Sequence, residues 1–71
     1  FEARSYVQGS RLAVVLSQSH MEQAVVTVKV PGYAYEGHDG VGRYTAARRD
    51  EGVKVEAPRH ALVFLTWSKV G

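Results

Sequence analysis

The segment His60–Trp67, with the sequence HALVFLTW, is the part of the chain that decides the fold class. Six of its eight residues are apolar, neither alternate face is polar, and Pro58 and Gly71 flank it. A short apolar run rich in branched and aromatic side chains, bounded by proline and glycine, favours a strand over a helix. We therefore expect a strand that is buried on both faces and forms the centre of the domain.

The N-terminal part of the chain predicts a β-hairpin. Phe1–Val7 alternates imperfectly, as an edge strand does, and Arg11–Ser17 (RLAVVLS) is again apolar on both faces. Gly9 lies between them and can adopt a positive φ, which tight hairpin turns require. We expect the second strand of this hairpin and the strand at His60–Trp67 to lie near the centre of the sheets.

Alternation of apolar and polar residues predicts three further strands, and turn signals separate them. They are Gln23–Val30, Tyr33–Glu36 and Gly52–Ala57. Ser17–Glu22 and Gly37–Gly42 are predicted to be loops, and Arg43–Glu51 irregular. Strands at spacings of roughly 8 to 12 residues are typical of an all-β fold. We predict a small antiparallel β-sandwich of six or seven strands, Ig-like or Greek-key-like, with Leu12, Val14, Leu16, Val63 and Leu65 in its core and Trp67 packed there.

Length and charge restrict the domain count and the partners. The chain has 71 residues, which we assign to a single domain, 1–71, and a net charge of +2 with interspersed signs. A nucleic-acid binder normally concentrates basic residues on one face, and a membrane helix needs roughly 18 apolar residues. We expect neither nucleic acid nor a membrane as a partner. Because the sequence starts at Phe1 and its only methionine is Met21, we expect it to be a piece of a longer protein, and it indicates no compartment.

The order of the strands resembles the C-terminal β-sandwich that follows the catalytic barrel in many glycoside hydrolases. The similarity is carried by Arg11–Ser17, by Gln23–Tyr33 (QAVVTVKVPGY), and by Gly52–Pro58 (GVKVEAP) leading into Ala61–Leu65. It is a pattern of strands and turns, from Arg4 to Trp67, without a chemical motif. The resemblance implies an accessory, non-catalytic module that braces the catalytic domain of a carbohydrate-active enzyme. The basic segment 43–49 departs from the pattern.

No combination of residues predicts a catalytic or metal site. The chain has no cysteine and no Gly-x-Ser-x-Gly motif, and its carboxylates lack neighbours that would prepare them for acid–base catalysis. Glu36, His38 and Asp39 cluster on a glycine-rich segment, but their spacing matches no defined metal site. We therefore assign no catalytic residue, metal or cofactor to the domain, while the resemblance places it within a glycoside hydrolase.

Aromatic residues on the half-polar strands are the predicted contacts with the catalytic domain. A module that braces another domain needs an apolar patch that it cannot bury alone. The residues assigned to this patch are Phe1, Tyr6, Tyr33 and Tyr35, with Val25 beside them. Tyr33, Tyr35 and Trp67 could instead stack on sugar rings, which keeps carbohydrate as a second ligand class, although we expect Trp67, on the most buried strand, to pack in the core.

A free-standing small β-barrel that binds nucleic acid or a protein is the alternative interpretation. Arg43, Tyr44, Arg48 and Arg49 combine positive charge with an aromatic ring, as surfaces for single-stranded nucleic acid do. Against it, Arg48 and Arg49 are followed directly by two carboxylates, at positions 50 and 51, with which they could form ion pairs.

Overall fold

The structure is a computed structural model that describes residues 1–49 and 52–70, and their regular structure is entirely β. Seven strands are present in these residues. They are β1 (Glu2–Gln8), β2 (Arg11–Gln18), β3 (Gln23–Lys29), β4 (Tyr33–Val41), β5 (Thr45–Arg49), β6 (Gly52–Pro58) and β7 (Ala61–Lys69). Within the same residues, no helix is long and apolar enough to cross a bilayer.

The strands form two antiparallel sheets that pack face to face. One sheet has four strands in the order β1-β2-β7-β4, and the other has three in the order β3-β6-β5. This confirms the predicted small β-sandwich. Immunoglobulin constant domains also divide seven strands into one sheet of four and one of three. In this chain β7 lies beside β2, a position that the fifth strand occupies in those domains.

The core lies between the central strands of the two sheets. Cross-strand pairing places residues of β2 and β7 in inward-facing rows, such as Leu16 with Val63 and Val14 with Leu65. Trp67 pairs with Leu12 in the same way and is only 1% exposed. The predicted core is confirmed, and β6 supplies its opposite wall. The buried residues of the central cluster are Leu12, Val14, Leu16, Val53, Val55, Val63, Leu65 and Trp67.

Two-residue turns lie near both ends of the chain: one closes the β1–β2 hairpin, and the other takes the chain from β6 in the smaller sheet to β7 in the larger one. Gly9 has φ 61°, as predicted for the β1–β2 turn, and His60 has φ 66° in the β6–β7 turn. His60 therefore precedes the final strand, which begins at Ala61. Positive φ is uncommon for a residue with a side chain. The His60 amide donates a 2.7 Å hydrogen bond to the Gln18 carbonyl, which holds this turn against the end of β2.

Gln18 is the buried polar residue of the described chain and links the two sheets. Its Nε2 donates to the carbonyls of Met21, at 2.7 Å, and Ala57, at 3.3 Å. Its Oε1 accepts 2.8 Å hydrogen bonds from the amides of His20 and Met21. A buried amide needs such partners, because an unpaired one costs free energy. The predicted loop 17–22 is thus shortened, since Gln18 belongs to β2.

The predicted loop at Gly37–Gly42 is wrong for most of its length, because β4 continues to Val41. Pairing with β7 satisfies the backbone along this stretch, and a bulge at Glu36 shifts the register. The glycines of this segment do not prevent strand pairing, and position 40 requires a glycine. A Cβ atom at Gly40 would collide with the Leu62 carbonyl oxygen and lie 2.9 Å from Tyr44 Cε1.

The structure also differs from the prediction that the segment 43–51 is irregular. Thr45–Arg49 forms β5, whose backbone pairs with β6. Local propensity is weak here, and the partner strand decides the conformation. The proposed ion pairs with the carboxylates at positions 50 and 51 lie outside the described residues.

The expectation that β7 is buried on both faces is wrong. Its inward residues are almost inaccessible, whereas Phe64 is 38% exposed and Thr66 is also exposed on the other face. The three-stranded sheet covers one side of the four-stranded sheet, and no described residue covers the other. The domain therefore has an open apolar sheet face.

Leu65→Ala should lower the free energy of unfolding by about 2 to 5 kcal/mol, because it removes a fully buried side chain and leaves a cavity. Leu62→Ala, on the half-buried outer face of the same strand, is the matched control and should cost less than half as much. Urea melts of the two variants measure both values. Equal losses would contradict the placement of the core on one face of β7.

Candidate interaction surface

The outward-facing residues of the four-stranded sheet form continuous rows across all four strands. Register places Arg4, Val15, Phe64 and Asp39 in one row, because each is the cross-strand partner of the next. The rows on either side run from Tyr6 through Ala13 and Thr66 to Gly37, and from Glu2 through Ser17 and Leu62 to Val41.

The middle of this surface is apolar, and we call it the apolar outer face. Phe64 is 38% exposed at its centre, and Tyr6 and Val41 are 57% and 66% exposed at its margins. Half-buried aliphatic side chains on β2 and β7 fill the space between them. The apolar outer face consists of Tyr6, Ala13, Val15, Val41, Leu62 and Phe64.

The outward face of the three-stranded sheet has a different composition. Its cross-strand rows contain Lys54 and Glu56, whose side chains form a 3.5 Å ion pair, and Lys29 and Arg49 at one end. Val25 is exposed there, opposite Glu56. Polar residues on a solvated sheet face are the usual arrangement. The two outer faces of the sandwich are therefore unlike, and only the four-stranded sheet presents an apolar one.

Polar groups border the apolar outer face near the β4 bulge. Arg11 Nε lies 3.8 Å from Glu36 Oε1, and Thr66 Oγ1 donates a 3.2 Å hydrogen bond to the Gly37 carbonyl. A shallow depression of about 300 Å³ lies between these groups and Phe64. An apolar centre with a polar rim is the usual composition of a protein–protein contact.

An open cleft of about 480 Å³ lies at one end of the sandwich, where Tyr33, Tyr35 and Arg48 line it together with Lys29 and Val70. The Arg48 guanidinium carbon lies 5.5 Å from the centre of the Tyr35 ring, and Arg48 donates a 2.9 Å hydrogen bond to the Tyr35 carbonyl. This cation–π contact joins β5 to β4. Arg48 therefore has a structural role at the edge of the sandwich.

Among residues 1–49 and 52–70, Tyr35 is the residue whose pKa clearly departs from its ordinary value. Its ring meets Trp67 edge to face, with 5.6 Å between the centroids, and its hydroxyl is buried without a hydrogen-bond partner among the described residues. Burial raises the pKa of the Tyr35 hydroxyl, Tyr44 raises it further, and Arg48 opposes the rise. The neutral phenol is therefore the favoured form in the folded chain.

The residues weighed as a metal site make separate contacts. His38 Nδ1 lies 2.8 Å from the Tyr44 hydroxyl, Asp39 Oδ1 accepts a 2.8 Å hydrogen bond from the Gly40 amide, and Glu36 lies beside Arg11. Among residues 1–49 and 52–70, no three His, Cys, Asp or Glu side chains are grouped so as to hold a metal ion.

The four residues assigned to the partner contact do not share one surface. Tyr6 belongs to the apolar outer face, and Phe1 is exposed just before β1. Tyr33 and Tyr35 line the end cleft instead and pack partly against the core. The sequence interpretation missed Phe64, because β7 was expected to be covered on both faces. The available signal was the number of strands, because seven strands in two sheets leave none to form a further layer over the outer face of β7.

The basic set is also divided. Arg48 and Arg49 are adjacent in β5, so their side chains point to opposite faces of the sheet. Arg43 and Tyr44 line a separate depression that also contains Glu56, and the Tyr44 ring meets His38 edge to face at 5.4 Å. The arrangement offers no row of stacking rings along a basic groove in the described residues.

No protein family, curated protein or solved structure matches the chain. The interpretation of its surfaces therefore depends on their geometry and composition.

Tyr35→Phe should remove a tyrosine ionisation step that lies above the ordinary tyrosine pKa when the folded protein is titrated with base. Because the folded-state pKa of Tyr35 is raised, this residue's contribution to stability is complete below the unfolded pKa of about 10 and is lost as pH rises through the folded pKa. Ultraviolet absorbance of tyrosinate, followed with pH, measures the step. The control, Tyr6→Phe on the exposed β1, should retain it.

Proposed function

We propose that this chain is a non-catalytic accessory β-sandwich that packs through its apolar outer face against a neighbouring domain. The neighbour that fits the sequence resemblance is the catalytic domain of a glycoside hydrolase. The observation that carries the proposal is the difference between the two outer faces of the sandwich. One is charged and suited to water, and the other has Phe64 and aliphatic side chains at its centre.

The composition of the apolar outer face supports a protein as the partner. Phe64 and Tyr6 are aromatic, Val15 and Leu62 are aliphatic, and the charged pair Arg11–Glu36 stands at the border. Aromatic residues are enriched at the centre of protein contacts, and charged residues are depleted there. Scattered exposed hydrophobic residues are ordinary, but a contiguous group in adjacent rows of one sheet marks an interaction site.

The positions of the carboxylates support an accessory role over a catalytic one. Glu56 forms an ion pair with Lys54 on the outward face of the three-stranded sheet, and Glu36 lies beside Arg11 at the bulge of the other sheet. A glycosidase needs two carboxyl groups about 5 to 10 Å apart across a sugar-binding site. These two glutamates belong to different outer surfaces, so they do not form such a pair.

Carbohydrate remains a weaker candidate ligand for the end cleft. Tyr33 and Tyr35 line it, but the Tyr35 ring is already engaged by Arg48 on one side and by Trp67 on another. Sugar rings stack on free aromatic faces. We therefore interpret the contacts at the cleft as a structural link between β4 and β5 and not as a sugar-binding site.

Phe64→Lys in the longer protein that contains this segment should uncouple the domain from its neighbour and lower the melting temperature of the protein by about 4 °C or more. A lysine on the apolar outer face would bury an unpaired charge at the contact. In the domain alone the change is tolerated, because position 64 is exposed and pairs with Asp39. Differential scanning calorimetry of both proteins measures the effect.

Thr45→Lys is the matched control, because it adds the same charge opposite an acidic residue, Glu56, on the other sheet. It should leave the melting temperature of the longer protein unchanged. An equal loss from Thr45→Lys, or a gene that encodes no adjoining domain, would contradict the proposal.

The isolated chain should hydrolyse no glycoside. Assays of the purified domain with chromogenic α- and β-glycosides at several pH values test this. Turnover above the buffer rate that disappears in Glu36→Gln or Glu56→Gln would show that the domain is itself an enzyme.

A further inference from the structure

Four edge strands border the two sheets in the described part of the chain, and three of them have features that hinder the addition of another strand. A bulge at Glu36 interrupts β4. Only five residues form β5, which ends in Arg48 and Arg49. Lys29 ends β3, and Pro31 follows soon after. Bulges, short strands, charged residues and proline are the common means of protecting a sheet edge.

The fourth edge, β1, lacks these protections. It pairs with β2 in unbroken register over seven residues and contains no proline. Its charged side chains, Glu2 and Arg4, have opposite signs. Every residue of β1 is exposed, including Val7 at 65%, because the three-stranded sheet does not extend over it. Both faces and the outer edge of the strand are therefore accessible.

The turn at Gly9 determines which backbone groups point away from the sheet. A two-residue hairpin turn makes Gln8 and Arg11 a hydrogen-bonded pair, and such pairs alternate along an antiparallel ladder. The amides and carbonyls of Ala3, Ser5 and Val7 consequently point outward. They can bond a strand added at this edge.

We propose that two copies of this chain associate through β1, which pairs antiparallel with its own copy about a two-fold axis at Ser5. Ser5 then lies opposite Ser5, Ala3 opposite Val7, and Arg4 opposite Tyr6. This register pairs all seven residues of the strand. It joins an alanine to a valine on one face and a guanidinium to an aromatic ring on the other, and it opposes no like charges.

Neighbouring registers are less favourable. Centring the pair on Ala3 shortens the overlap to three residues of β1 and centring it on Tyr6 to five, whereas centring it on Arg4 places two arginines opposite each other. A two-fold axis is the common symmetry of soluble dimers, because one surface then serves both copies.

The shape of the sandwich allows this contact. Because β1 extends beyond the three-stranded sheet, two adjacent β1 strands separate the smaller sheets of the two copies, and these do not collide. The four-stranded sheets join into one sheet of eight strands. The apolar outer face continues across it, since Tyr6 lies beside the axis. The inference goes beyond the proposed function, since it concerns the sheet edge and a second copy.

Sedimentation equilibrium of the chain at concentrations up to about 1 mM should reveal a monomer–dimer equilibrium in the micromolar range, as expected for a small contact. Ser5→Pro removes an outward amide at the axis without breaking the β1–β2 ladder and should weaken the dimer at least tenfold. Ser5→Ala keeps that amide and should leave the dimer intact. Circular dichroism verifies the fold of each variant.

Single cysteines test the register even if Ser5→Pro does not fold, since the described chain has no cysteine. Hydrogen-bonded partners have Cα atoms about 5.5 Å apart, within the reach of a disulfide. Ser5→Cys should therefore oxidise rapidly to a covalent dimer. Val7→Cys is the control, because the two Val7 positions are offset by four residues, about 13 Å, and it should form the dimer at least tenfold more slowly.

A chain that remains monomeric at the highest concentration, or equal cross-linking of the two cysteine variants, would overturn the inference. A dimer that survives Ser5→Pro and is lost in Phe64→Lys would place self-association on the apolar outer face and would also overturn it. Neither result alters the calorimetric test of docking to a neighbouring domain.

Discussion

The fold depends on the burial of one face of β7 between β2, β4 and the opposite sheet. Val63, Leu65 and Trp67 are at most 1% exposed, and the chain has no cysteine to add a covalent constraint. A domain of this size buries only about 60% of the surface of its unfolded chain, so each buried side chain has a large share of the stability. Gln18, the buried polar residue of the described part of the chain, adds a hydrogen-bonded link that holds the β2–β3 connection to the opposite sheet.

The same arrangement leaves the sandwich asymmetric. Four strands face three, so one strand, β1, extends beyond the core, and the outward side of β7 has no cover. A larger protein would place a further layer on such a face. In this domain such a layer would have to come from another domain or another chain. The proposed contact with a neighbouring domain and the proposed pairing of two β1 strands both follow from this asymmetry of the two sheets.

The two proposed contacts depend on different interactions, hydrophobic burial in one and backbone hydrogen bonding in the other. The apolar outer face offers hydrophobic area around Phe64, which favours any partner with a complementary surface. The β1 edge offers directional backbone groups in a fixed register, which favours an extended strand and above all an identical one. Because Tyr6 belongs to both surfaces, occupation of one would change the area available at the other.

The sequence by itself determined the presence of six of the seven strands found in the described residues, and their inward faces, since the period of two in segments such as Gly52–Ala57 is a local property of the chain. It also determined the core, because Leu12, Val14 and Leu65 have no polar alternative. Only the tertiary structure decided that β4 continues through its glycines, that Thr45–Arg49 is a strand, and that Phe64 is exposed. Each of these three features depends on a partner strand or a covering layer that is distant in the sequence. The apolar pattern of β7 would be the same whether or not another layer covered its outer face. That face is exposed because the strands of the described chain form only two sheets, and none remains to cover it.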